Sequence, residues 1–251
     1  MLDLLDRLLA PLARLLVARG VLFPEFADAM KHHFVTAARA TAAADGQKIT
    51  DSRLSVMTGL QRRDVQRLSD LQAPQPRANH LAQLVALWQT DPGYSKKGKA
   101  LPLARTGTEL SFETLARAVR RDVHPRTLLD ALLAAGTLRT ENDTVYLVQT
   151  SYQPLAGSED QIAYLASNAG DHLMAAVENV LGREPKHFER ALHYEGLTAA
   201  QIVELETDYR QAEMDTLQRL SQKAADMKRQ DRGAYRFRAG GYVFSKGGET
   251  E

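Results

Sequence analysis

Residues 51–68 read DSRLSVMTGLQRRDVQRL, and this stretch decides the fold. Two short helices that pack across a tight turn need apolar inner faces, a small residue at their contact and a glycine between them. Leu54 and Met57 supply the first inner face, Ser55 the small contact and Gly59 the turn. Leu60, Val65 and Leu68 supply the second. What remains outside on the second helix is Gln61, Arg62, Arg63, Gln66 and Arg67. These side chains can donate to guanine, adenine or phosphate. Asp64 opposes phosphate unless it pairs with Arg67 or accepts from cytosine. Arg53 adds a fourth arginine, so residues 53–67 carry four Arg and one Asp.

Working outward toward the N-terminus, leucines at 5, 8, 9, 12, 15 and 16 recur at helical spacing, with Gly20 as a stop. Asp3, Asp6, Arg7 and Arg14 interrupt any signal-peptide core, so a helix docked on a core is expected. A second helix runs from Pro24 to about Ala44, with Phe26, Met30, Phe34, Ala38 and Ala42 on its apolar face.

Toward the C-terminus, Ala73-Pro74-Gln75-Pro76 reads as a linker. Asn79 caps a helix through Trp88, and Asp91-Pro92-Gly93 with Lys96-Lys97-Gly98-Lys99 forms an exposed loop. Trp88 and Tyr94 are expected to pack and anchor that loop. Residues 111–148 follow the order of a winged helix. Ser111 caps one helix, Pro125 opens a second that Gly136 closes, and Glu141-Asn142-Asp143 joins two strands. His124, Arg126 and Thr127 at the second helix's start, and Arg139 and Thr144 on the hairpin, are its candidate DNA contacts. That helix is otherwise apolar, which suits docking or dimerisation as well as DNA.

Beyond Gly157, Ser158–Gln161 and Thr198–Gln201 are capping boxes that open two long helices. The second reaches about Met227. Its apolar positions are Ile202, Leu205, Tyr209 and Ala212, then Leu217, Leu220, Ala224 and Met227, with a phase change between the two sets. A long uninterrupted coiled coil is not expected. Residues 235–244, with Gly240-Gly241 inside, suggest a small hairpin.

The expected fold is therefore mainly α. Residues 1–72 form a helix-turn-helix unit, 79–153 a winged-helix-like unit with a small β-hairpin, and 158–251 a helical region with a terminal hairpin.

Composition tests the functional reading. The chain has 251 residues, 32 Lys+Arg against 31 Asp+Glu, and no cysteine. Without cysteine there are no disulfides, thiolate zinc sites or cysteine nucleophile. Adjacent His32 and His33 point about 100° apart on a helix, and His187, Glu189 and His193 match no metal spacing. No nucleophile elbow, phosphate-binding loop or dinucleotide fingerprint is present, so no cofactor, no metal and no enzymatic activity are expected. The near-zero charge divides unevenly. Residues 1–150 hold 20 basic and 15 acidic side chains, a balance of +5, and residues 151–251 hold 12 and 16, a balance of −4. A local basic face, rather than the total, releases counterions from DNA.

The chain also resembles a family of uncharacterised bacterial proteins, catalogued as a domain of unknown function. The resemblance lies in PLARLLVARGVLFPEFADAMKHHFV (11–35), TDSRLSVMTGLQRRDVQRL (50–68), LWQTDPGY (87–94), DVHPRTLLDALLAAGTL (122–138) and RALHYEGL (190–197). It departs at Gln89, where His is expected, and in its longer basic loop at 96–99. The resemblance implies an architecture and carries no activity.

The expectation is a cytoplasmic, nucleoid-associated, non-enzymatic regulator that binds double-stranded DNA with the helix at 61–70. It would be a homodimer through its helical C-terminal region, with no membrane role. The alternative is a protein-interaction scaffold resembling the tandem winged-helix proteins that accompany bacterial condensins.

Overall fold

A glycine in the left-handed region organises the first unit. A computed structural model describes residues 2–69, 79–97, 99–149 and 152–247, and the chain divides into two units, Met1–Gln75 and Pro76–Glu251. The linker expected at 73–76 lies outside the described residues.

In the first unit, α1 (Leu2–Ala18) and α2 (Phe23–Ala44) precede two short helices, α3 (Asp51–Thr58) and α4 (Arg62–Ser69). The Thr50 hydroxyl accepts from the Arg53 N–H at 3.3 Å and starts α3. Gly59, at φ 72°, ends it and donates to the Ser55 carbonyl. The Ser55 hydroxyl donates to the Leu60 carbonyl at 2.6 Å, so the expected small residue also ties the turn down. Val35, Ala38, Leu54, Val65 and Leu68 form the core, with Leu60 packed against it.

Three expectations fail here. Met57 is exposed, because one turn beyond Leu54 the short α3 has already passed the end of this small core. The buried face of α2 is Val35, Ala38 and Ala42, and Phe34 is 54% exposed. Ala38 and Ala42 are buried as expected, and the contacts with α3 and α4 place Val35 rather than Phe34 beside them. Finally, α1 does not dock along its length. Leu4, Leu5, Leu8, Leu9 and Leu12 are exposed, and only the C-terminal pair Leu15 and Leu16 is half-buried. A five-residue core is too small to cover a second full helix face.

In the second unit, α5 (His80–Thr90) begins with the Asn79 carboxamide oxygen accepting from Ala82 N–H at 2.9 Å. The basic loop is a two-stranded ribbon, β1 (Ser95–Lys96) with β2 (Lys99–Ala100). Then come β3 (Leu103–Ala104), α6 (Phe112–Val119), α7 (Pro125–Ala134), β4 (Leu138–Glu141) and β5 (Thr144–Leu147). The sheet order is β3-β5-β4, antiparallel throughout. Helix, strand, two helices and a hairpin is the order of a winged helix, and β3 is a strand the sequence reading did not include. Asn142 and Asp143, both at positive φ, make the tight turn between β4 and β5. Trp88 is fully buried, donates its indole N–H to the Leu101 carbonyl at 2.9 Å, and meets Phe112 edge-on at 5.9 Å. Leu84, Leu115, Leu132 and Val145 complete the centre of this core.

Two long helices follow, α8 (Glu159–Val180) and α9 (Ala199–Gln230). Thr198 and Gln201 form the reciprocal box, while Gln161 reaches Gly157 N–H instead of Ser158 N–H. The α9 helix is continuous through the phase change of its apolar positions. No residue of either helix is buried. The expected terminal hairpin is absent: residues 235–244 form no strand. The segment is fixed by side chains instead, with Arg236 and Arg238 on Asp171 of α8 and Ser245 on Glu206 of α9. Gly241 lies so close to α9 that a Cβ there would strike the Tyr209 hydroxyl. Among the described residues no helix is long and apolar enough to cross a membrane.

Candidate nucleic-acid interface

The α4 helix presents its exposed polar side chains within an arc of about 140° at 100° per residue. Arg62, Arg63, Gln66 and Arg67 are exposed on it, and Gln61 is exposed just before it, while Val65 and Leu68 face the core. Three links tie the edges of this helix to α2. Arg67 binds Asp28 with two hydrogen bonds, at 2.7 and 3.3 Å. Lys31 lies 3.6 Å from Asp64, and Arg39 donates to the Ser69 hydroxyl at 2.8 Å. The hydrogen-bonded Arg67 guanidinium holds the Asp28 carboxyl below the usual carboxylate range, and Asp28 raises Arg67 in return.

This network divides the predicted contacts by role. Arg62 and Arg63 make no hydrogen bond or ion pair among the described residues, so both charges are available to a ligand. Arg67 is committed to orienting α4 on α2, although its side chain is 51% exposed. Asp64, which would oppose phosphate, faces Lys31 and is 3.9 Å from Arg67. Arg53 donates to the Lys48 carbonyl at 3.0 Å. Beside it lies a shallow groove lined by Lys48, Val56 and Met57.

The second set of predicted contacts is more fully engaged. The His124 ring accepts from Arg126 N–H at 3.2 Å, so it caps α7. Arg126 lies 3.7 Å from Asp130, and Thr127 is exposed beside it. Arg139 pairs with Glu141 and stacks 4.2 Å above the Tyr146 ring, its partner across the hairpin. Thr144 is half-buried where β5 begins. One basic feature escaped the sequence reading. Arg105 binds Asp143 at the hairpin tip, at 2.8 Å, a pairing that depends on β3. Of the basic loop expected at 96–99, Lys96, Lys97 and Lys99 are exposed as expected, carried on a two-stranded ribbon.

Elsewhere, His187 meets Glu178 at 2.7 Å and His172 lies 3.8 Å from Glu189. Hydrogen bonding from His187, aided by Arg183, holds Glu178 below the usual range. Among the described residues no cluster of three His, Cys, Asp or Glu side chains has the geometry to hold a metal.

No curated protein and no solved structure matches the chain. Residues 4–248 match the model of a family of unknown function, DUF6502, and the chain belongs to that family.

Proposed function

We propose that the protein is a non-enzymatic, cytoplasmic DNA-binding regulator that reads double-stranded DNA with α4. One observation carries this reading: Arg62 and Arg63 project from an exposed helix face with no hydrogen-bond or ion-pair partner among the described residues, while the ion pairs Arg67–Asp28 and Asp64–Lys31 fix that helix on α2. Guanidinium groups held on a rigid element suit bidentate recognition of guanine and attraction to phosphate. Gln61 and Gln66 supply amides that can read adenine. Bound DNA recovered genome-wide from cells tests the reading. Discrete sites that vanish on substituting Arg62 and Arg63 with alanine support it; unchanged recovery from the variant refutes it.

A second reading is favoured by the winged-helix-like unit. His124, Arg126 and Arg139 are each engaged within the chain, and α7 offers few free cations. Such a unit suits protein docking, as in a tandem winged-helix scaffold. A stoichiometric protein partner, with no retention on heparin or DNA, would select it.

A further inference from the structure

We infer that α9 is a two-fold dimerisation helix that pairs antiparallel with α9 of a second copy of this chain. The inference goes beyond the DNA reading and does not depend on it.

The apolar positions of α9 form two sets whose spacing looks out of phase, yet the helix is continuous. At 3.6 residues per turn, seven turns take about 25 residues, which is the spacing from Ile202 to Met227. The extra residue between Ala212 and Leu217 therefore returns the seam to the same side of a straight helix. The seam is also its own complement. A two-fold axis between Met214 and Asp215 sets Ile202 opposite Met227 of the second copy, Tyr209 opposite Leu220, and Ala212 opposite Leu217. Leu205 and Ala224 meet in the same register. In heptad terms each pair joins an a position to a d position, as antiparallel helices require.

Charge follows the same symmetry. The half before the axis carries Glu204, Glu206, Asp208 and Glu213 against Arg210. The half after it carries Arg219, Lys223, Lys228 and Arg229 against Asp215 and Asp226. Antiparallel pairing sets acidic half on basic half, whereas parallel pairing sets like on like. Asp208 and Lys223 lie on the same flank of the seam, and neither has an ion-pair partner among the described residues.

The remaining faces of α9 are already assigned. Arg229 donates to the Thr90 carbonyl at 3.1 Å, and Gln222 and Ala225 are half-buried on that side. This is the side that meets α5, and it is turned away from the seam. The terminal segment follows the flank marked by Glu206 and Glu213 and reaches the seam at the Tyr209 hydroxyl. The Asp208–Lys223 flank lies on the other side. All eight seam positions stay exposed or half-exposed, and a 32-residue amphipathic helix gains most of its stability from covering such a face.

The full chain, which contains no cysteine, allows a direct test. Light scattering behind gel filtration is expected to give the mass of two chains. Leu205→Cys combined with Ala224→Cys is expected to yield a covalent dimer with a short bis-maleimide, while neither single variant does. Asp208→Lys raises the dissociation constant by about tenfold, and adding Lys223→Asp restores it. Both charge variants keep the seam's apolar residues, and circular dichroism checks that helix content is retained. A single-chain mass at tens of micromolar overturns the inference. So do single-cysteine variants that cross-link as well as the pair, or a double charge exchange that fails to restore the dimer.

Discussion

Replacing Arg62 and Arg63 together by alanine separates binding from folding, because neither side chain makes a hydrogen bond or ion pair among the described residues. Surface changes of this kind shift stability by no more than about 0.5 kcal/mol, so the thermal midpoint should stay put. Binding should respond strongly. Each phosphate contact contributes about 0.9 to the slope of log affinity against log salt. If both arginines meet phosphate, the slope flattens by about 1.8 per bound chain. Between about 50 and 200 mM salt, wild-type affinity then falls roughly tenfold more than that of the double variant. If Arg63 instead reads a base, Arg63→Ala alone costs about 1–3 kcal/mol at the preferred sequence and little elsewhere. Fluorescence anisotropy on labelled duplexes at four salt concentrations distinguishes these cases. Equal slopes and equal affinities for wild type and double variant, with unchanged melting, refute the assignment of α4 to DNA.

Leu54→Ala should destabilise the first unit by about 3–5 kcal/mol, since Leu54 is fully buried in a core of five residues; loss of helical circular dichroism on denaturant titration measures it. Gly59→Ala meets no neighbouring atom but forces a side chain into the left-handed region, at about 1–2 kcal/mol by the same titration. The hydrogen bonds from Arg236, then the charges of Arg236 and Arg238, hold Asp171 below the usual carboxylate range. A depressed carboxyl contributes its stabilisation above its unfolded value, near pH 4, and loses it as pH falls through the folded value. The terminal segment should therefore loosen in acid, and in Asp171→Asn at neutral pH, with faster tryptic cleavage after Arg236 and Arg238.

Local chemistry made much of this fold legible. Thr50, Gly59 and the apolar spacing define α3 and α4 within one short stretch, and Asn79, Ser111 and Thr198 mark helix starts through bonds to residues three positions on. What escaped depends on distant partners. The two residues of β3 are too short to show alternation, and they become a strand by pairing with Val145 and Thr144. The Arg67–Asp28 pair joins residues 39 apart, so Arg67 read as one more exposed cation. His124 looked available because a capping imidazole and a ligand-seeking one have the same sequence. On α2, Ala38 and Ala42 face the core as expected, but Val35 takes the place expected of Phe34, because both spacings suit a helix and only the neighbours decide. The terminal Gly240-Gly241 suggested a turn, whereas Gly241 instead permits close approach to Tyr209.

The burial of Trp88 has a practical consequence. It is the chain's one tryptophan, and it sits in the core of the second unit against Phe112. Its emission therefore reports the melting of that unit, while the unit carrying α4 is spectroscopically silent at the same wavelength. Far-ultraviolet dichroism sums both units. The difference between the two unfolding curves reports the helices outside the Trp88 core, α3 and α4 among them, without a label or a truncation, and Leu54→Ala identifies the part that belongs to the first unit.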